Sequence, residues 1–187
     1  MASAEWYGSW LRLLVDGFSE RESISNANEQ MNSSRDFARC KIKDRSNNLL
    51  MLSAAVEGGG RQLRSIENFP KILLSNHGNW RKTHQSAIEA CYGKKPFYPY
   101  LSIELQEIYY DESIKTLEDF CNSLHQRLIL ILVRRLDVSK LKLIDKDERL
   151  KERAKEIAKD IDPKISVLDA LMSYGPETIL GLYGLGI

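Results

Sequence analysis

The amino-acid sequence predicts a single α/β domain over residues 1–187, with a small sheet, read as mixed, around a central β-hairpin and helices on its flanks. Three observations carry that reading. Asp36 to Asp44, DFARCKIKD, alternates between apolar and charged positions with the period of two that marks a half-buried strand. Four turn formers, Arg45 to Asn48, separate it from a second apolar run, LLMLSAAV. Elsewhere the apolar residues recur at helical spacing, from Trp6 and Trp10 near one end to the closing segment SVLDALMSYGPETIL.

Composition supports one soluble, core-bearing domain: 187 residues, 43% of them apolar, with only 5 prolines. Lys plus Arg number 27 against 26 Asp plus Glu, so the broad positive field of a dedicated nucleic-acid binder is missing, and a reading of KIKDR and WRK as nucleic-acid contacts is disfavoured. No run reaches the roughly 18 apolar residues that span a bilayer. The longest, Leu128 to Val133, is bracketed by Arg127, Arg134 and Arg135 and reads as core. The first residues show neither a basic leader nor a small-residue cleavage site. Three dispersed cysteines, Cys40, Cys91 and Cys121, fit a reducing cytoplasm and show no metal-ligand spacing.

In chain order, the first helix is expected around Ala4 to Leu14, with Trp6, Trp10, Leu13 and Leu14 on one face, and a polar stretch runs from Ser19 to Ser34. The hairpin follows, with Ala38, Cys40 and Ile42 on its buried side and Phe37, Arg39, Lys41 and Lys43 on the other. Gly58, Gly59 and Gly60 end it. A glycine triplet can cradle phosphate, but with no following helix bearing Lys and Ser/Thr a flexible turn is the preferred reading. Pro70 opens a segment whose Ile72, Leu73 and Leu74 are expected as the buried part of a third strand. Asn79 is placed as the side-chain cap of a helix from Trp80 to about Tyr92, with Gly93 as a left-handed stop. Trp80, His84, Ala87, Ile88 and Cys91 share its inner face. Lys146 to Asp160 reads as a solvated helix with a narrow seam of Leu150, Ala154 and Ile157, ended by Pro163. Two short apolar helices, stopped at Gly175 and restarted at Pro176, close the chain.

Chemistry concentrates in Gly78 to Tyr100, GNWRKTHQSAIEACYGKKPFYPY. Arg81 and Lys82 occupy a first turn where the helix dipole favours acids. An anion held by the free amides, both cations and His77 would explain them; so would side chains that simply extend into water. His84 has the intrinsic pKa of a general base, yet an inward histidine with both nitrogens hydrogen-bonded in the core is the preferred reading on residues alone. Tyr92, Phe97, Tyr98 and Tyr100 suit stacking on a sugar or base, or packing at a turn around Pro96 and Pro99.

This run resembles the signature segment of the WbqC-like protein family of bacteria, in which an Asn-Trp pair, a His four residues on and a Tyr-Gly-x-x-Pro-(Phe/Tyr) exit recur. Glu29 and the Arg39–Cys40 pair are similar to the family's acidic residue and Arg-Cys strand, and Ser166 to Glu177 to its closing Ser-(Ile/Val)-Leu-Asp-x-Leu-x-x-x-Gly-Pro-Glu segment. Ala38, Ser34, Ala55 and Cys121 stand where the family commonly has Asn, Gln, Pro and Asn. The resemblance implies a role in surface polysaccharide (O-antigen) synthesis and a small-molecule ligand, a sugar or nucleotide-sugar. In the enzyme reading that it implies, a transferase uses His84 as general base with Glu29 orienting it or sharing its proton. Arg39 and Arg81 neutralise a phosphate or carboxylate, and Trp80, Tyr92 and Tyr98 complete the binding surface. The alternative is a non-catalytic binding or assembly module of the same pathway. No cofactor is specified.

Overall fold

The computed structural model describes residues 34–35, 37–133, 144–162 and 165–184. The expected first helix, the polar stretch before Ser34, the Arg134–Arg135 pair and Pro163 lie outside the described residues, as does Glu29.

The hairpin forms as its alternation dictates. Strand β1 (Arg39–Lys43) pairs antiparallel with β2 (Leu49–Ser53), in a register that sets Arg39 opposite Ser53 and Lys43 opposite Leu49. Cys40 and Ile42 are fully buried, while their charged neighbours are half-exposed. Asp44 organises the turn: its Oδ1 accepts from the amides of Ser46 (2.7 Å) and Asn48 (2.8 Å), and Asn47 takes a left-handed φ of 64°. Phe37 departs from the expected outward face, for it is buried and its ring stacks on Phe69 at 4.2 Å.

The third strand does not form as a strand. Pro70 sits inside a 3-10 turn (Ile66–Lys71), and the segment after it makes only isolated antiparallel bridges, Leu74 with Val56 and Leu73 with Thr116. Ile72 and Leu74 are buried, but Leu73 faces solvent. Every described pairing is therefore antiparallel, including the part of the sheet that the sequence reads as mixed. The Gly58–Gly60 turn, with Gly58 and Gly59 at positive φ, feeds a 3-10 turn (Gly59–Arg64) as its composition suggests.

Six helices follow among the described residues: α1 (Trp80–Tyr92), α2 (Tyr98–Tyr109), α3 (Leu117–Val133), α4 (Glu148–Asp160), α5 (Val167–Tyr174) and α6 (Thr178–Gly184). α1 starts where expected, although the Asn79 side chain caps nothing; its carbonyl accepts from the amide of Thr83 instead (2.8 Å). Gly93 ends α1 in the right-handed region, φ −56°. Its glycine identity answers to space: a Cβ there would lie 2.6 Å from the Glu89 carbonyl oxygen. The aromatic exit turn is shorter than expected, because Tyr98 and Tyr100 already belong to the first turn of α2, where Pro99 suits the missing donor.

The charged segment forms α4 with Asp147 as cap, its Oδ1 accepting from Arg149 N–H at 2.9 Å, and Ala154 and Ile157 buried. α5 stops at Gly175, and a 3-10 turn, Gly175–Glu177, carries Pro176 into α6. One cluster of buried side chains joins the hairpin, α1, α2, α3, α5 and α6, and a smaller one (Ile144, Ala154, Ile157, Leu180) seats α4 on α6. No helix among the described residues is long and apolar enough to cross a membrane.

Candidate functional site

Four of the expected site residues, Trp80, Arg81, His84 and Tyr92, fall along α1, and the helix period separates them. Trp80, His84, Ile88 and Cys91 face the core, whereas Arg81 emerges at the helix start and Tyr92 closes its end.

Trp80 is buried and donates its indole N–H to the carbonyl of Ser75 at 2.9 Å. Its ring meets His84 edge-on (5.1 Å between centroids) and Phe120 edge-on (5.8 Å); Tyr109 of α2 packs at 5.8 Å from His84 and 5.2 Å from Phe120. His84 is only 3% exposed. Its Nδ1 lies 3.1 Å from the Tyr109 hydroxyl, and its Nε2 lies 3.1 Å from both the amide nitrogen and the carbonyl oxygen of Ser53. A neutral ring satisfies this setting in either tautomer: it donates to the Ser53 carbonyl and accepts from Tyr109, or accepts from the Ser53 amide and donates to Tyr109. Burial enforces neutrality and holds the imidazole down to about 4, with the Ser53 bond opposing weakly. His84 thus pins the end of β2 to both α1 and α2.

Arg81 is half-buried and braced. Its guanidinium lies 4.5 Å from the centre of the Trp80 ring, and Nη1 approaches the Ser75 carbonyl and the Asn76 side-chain oxygen, each at 3.4 Å. No carboxylate among the described residues pairs with it. It opens onto a groove of 510 Å³ whose other walls include Tyr109, Tyr110, Asn76 and Lys115. Asp111 and Glu112 stand at the same groove, but the Asp111 carboxylate is occupied by the amide (2.8 Å) and hydroxyl (2.6 Å) of Ser113. Cation, aromatic and amide groups on one concave surface suit a small anionic or hydroxyl-rich ligand.

The remaining expected residues are elsewhere. Lys82 and His77 are exposed and line neither this groove nor the larger cleft at the opposite end of α1. Arg39 is half-buried on β1, and its backbone faces Ser53, the residue that holds His84, yet it lines neither opening. Tyr98 is half-buried in the first turn of α2 and also lines neither. Tyr92 lines the larger cleft, its hydroxyl accepting from the Lys43 amide at 3.2 Å. Of the expected set, the structure brings Trp80, His84 and Arg81 together. It adds Tyr109 and Lys115, which sequence reasoning missed. Tyr109 was findable: Leu101, Leu105, Ile108 and Tyr109 follow the i, i+4, i+7, i+8 spacing of a buried face. No group of His, Cys, Asp and Glu among the described residues is arranged to hold a metal ion.

The model of the WbqC-like protein family matches residues 24–164, which include Glu29, Arg39 and the whole of Gly78 to Tyr100 and end before the closing Ser166–Glu177 segment. No curated protein and no solved structure matches the chain.

Proposed function

The chain belongs to the WbqC-like protein family, and on that premise we propose that it serves bacterial surface polysaccharide (O-antigen) synthesis by group transfer on a sugar or nucleotide-sugar bound at the Arg81 groove. The observation that carries this reading is Arg81 itself, an arginine stacked on Trp80, tethered to Ser75 and Asn76 and facing a groove with no carboxylate partner among the described residues. A guanidinium held this way has little freedom left to lose, so its charge is presented to a phosphate or carboxylate at low entropic cost.

In the transfer reading, the ligand lies against the groove wall that Tyr109, itself 1% exposed, helps to form, with His84 behind it. A sugar hydroxyl that attacks an activated group must shed its proton, and the Tyr109 hydroxyl with the neutral His84 nitrogen behind it forms a path of two hydrogen-bonding groups into the protein. Glu29 would share or stabilise that proton. Arg39, half-buried beside the same hairpin position, and Tyr92 and Tyr98 take second-tier roles, because neither the groove nor the aromatic cluster includes them.

The non-catalytic reading, a recognition module of the same pathway, is favoured by the burial of His84: an imidazole 3% exposed, held down to about 4 by desolvation, is a weak base at neutral pH. The two readings part on whether the wild type transfers any group to or from the bound sugar, and His84→Gln then tests the role of the imidazole. A thermal-shift screen of the full chain against nucleotide-sugars is expected to raise the melting temperature for at least one, and Arg81→Ala to weaken its binding tenfold or more. A flat response across the screen would sink ligand binding at the groove. With a binder in hand, loss of transfer but not of binding in His84→Gln supports the enzyme, whereas unchanged transfer refers His84 to the core alone.

A further inference from the structure

The larger cleft, 810 Å³, lies beyond the other end of α1. Arg81 and Tyr92 are eleven residues apart in one helix, so about 16 Å of helix axis separates the two openings at 1.5 Å per residue. Four segments distant in sequence form its walls: the hairpin end and turn (Lys43–Asn47), the exit of α1 (Cys91–Pro96), the end of α4 (Lys159–Asp162) and α5 (Asp169–Tyr174). None of its residues except Tyr92 is expected at a site from the sequence.

Its charges are unevenly committed. Lys43, Arg45, Lys95 and Lys159 line the cleft and none makes an ion pair among the described residues. Of the four carboxylates there, Asp44 is engaged by the amides of its own turn and Asp160 by the Tyr174 hydroxyl, and Asp162 is not free either. Asp169 is different. Its carboxyl is half-buried, with the Tyr92 side chain and the charges of Lys95 and Lys43 in its surroundings; burial pushes it above the ordinary carboxylate range against the pull of those two cations. Neighbouring bonds fix the arrangement. Lys95 Nζ donates to the Ser173 hydroxyl at 3.0 Å, Ser173 donates to the main-chain oxygen of Asp169 at 2.9 Å, and Lys43 N–H donates to the Tyr92 hydroxyl at 3.2 Å.

We propose that this cleft is a second binding site, for a sugar phosphate: the phosphate is held by Lys43, Lys95 and Lys159, and ring hydroxyls donate to Asp169. Unpaired cations from three segments answer to a polyanionic group, which needs several charges at once and no fixed fork geometry. Asp169, half-buried in the wall of the cleft, presents a carboxylate that can accept from the hydroxyls of a bound ring. The volume falls within the 300–1,000 Å³ range of small-molecule sites. The site stands independently of the Arg81 groove, since the two share no residue.

The test is amide chemical-shift mapping and calorimetry on the full chain with glucose 1-phosphate, inorganic phosphate and glucose. Glucose 1-phosphate is expected to shift the amides of Lys95 and Ser173 saturably, and glucose alone is expected to do nothing. Lys43→Gln/Lys159→Gln should weaken both phosphate ligands tenfold or more. Asp169→Asn should weaken glucose 1-phosphate at least fivefold without weakening inorganic phosphate. Lys159 is exposed and Lys43 half-exposed, so the lysine pair keeps the test decisive if Asp169→Asn does not fold. Absence of glucose 1-phosphate binding to the wild type, shifts confined to the Arg81 groove, indifference to the lysine pair, or a folded Asp169→Asn with full glucose 1-phosphate affinity would each overturn the proposal.

Discussion

At the scale of single residues, His84 shows how burial selects among the roles a side chain could play. The same ring that suggests a base in sequence is, in the fold, an apolar-surrounded connector between Ser53 and Tyr109, and its proton affinity records the difference. A histidine held at about 4 in the native state and near 6.5 when unfolded binds fewer protons folded than unfolded throughout that interval. Its neutral burial therefore leaves stability intact above pH 6.5 and erodes it as the pH falls toward 4, by up to about 3 kcal/mol from the gap between the two pKa values. The other titrating groups are common to wild type and His84→Gln, so the difference between their pH profiles isolates this residue. Urea unfolding at pH 7 and pH 4 should show the wild type losing about 3 kcal/mol more than the variant. Parallel profiles would mean that the imidazole is charged without penalty and reaches water.

At the scale of elements, two glycines set how closely segments approach. Gly175 ends α5 at φ +55°, and a Cβ there would lie 2.4 Å from Phe97 Cε1; the amide of Phe97 in turn donates to the Met172 carbonyl at 3.2 Å, so the exit of α1 is seated on the end of α5. Gly181 does the same for α6, where a Cβ would meet Ile157 Cγ2 at 2.5 Å. Gly175→Ala combines a disfavoured backbone with a clash against a ring, and chemical denaturation should show a loss of roughly 2–4 kcal/mol. A loss under 0.5 kcal/mol would show that Phe97 yields freely. The stop at Gly175 was legible because glycine and the following proline are local signals. Likewise, the alternation in Arg39–Lys43 and the inner face of α1 needed only periodicity. Leu73 and Gly93 were not legible. An apolar triplet after proline reads the same whether it extends a sheet or bridges twice and turns one side chain to water, and the crowding at Gly93 depends on a carbonyl whose position exists only after folding.

At the scale of the whole molecule, the same limit applies to the sites. The Trp80–His84–Arg81 group lies within one helix and could be read from one segment, whereas the Asp169 cleft draws on residues as far apart as Lys43 and Tyr174, and no spacing rule relates them. What joins these distant segments is one continuous core, and its cysteines report on it. Cys40 on β1, Cys91 on α1 and Cys121 on α3 are all buried in that cluster. Burial pushes the Cys91 and Cys121 thiols up, so the reactive thiolate is scarce even where reagent arrives. If the core unfolds as a unit, native protein should release almost no thionitrobenzoate from a disulfide reagent in minutes, and all three thiols should become reactive across the denaturant range in which helical circular dichroism is lost. Cys91 borders the large cleft and is the natural first to react. Labelling of Cys91 with Cys40 at denaturant concentrations that leave the helices intact would show that the hairpin and the end of α1 open as a separate unit, and the Asp169 cleft would then belong to the least stable part of the fold.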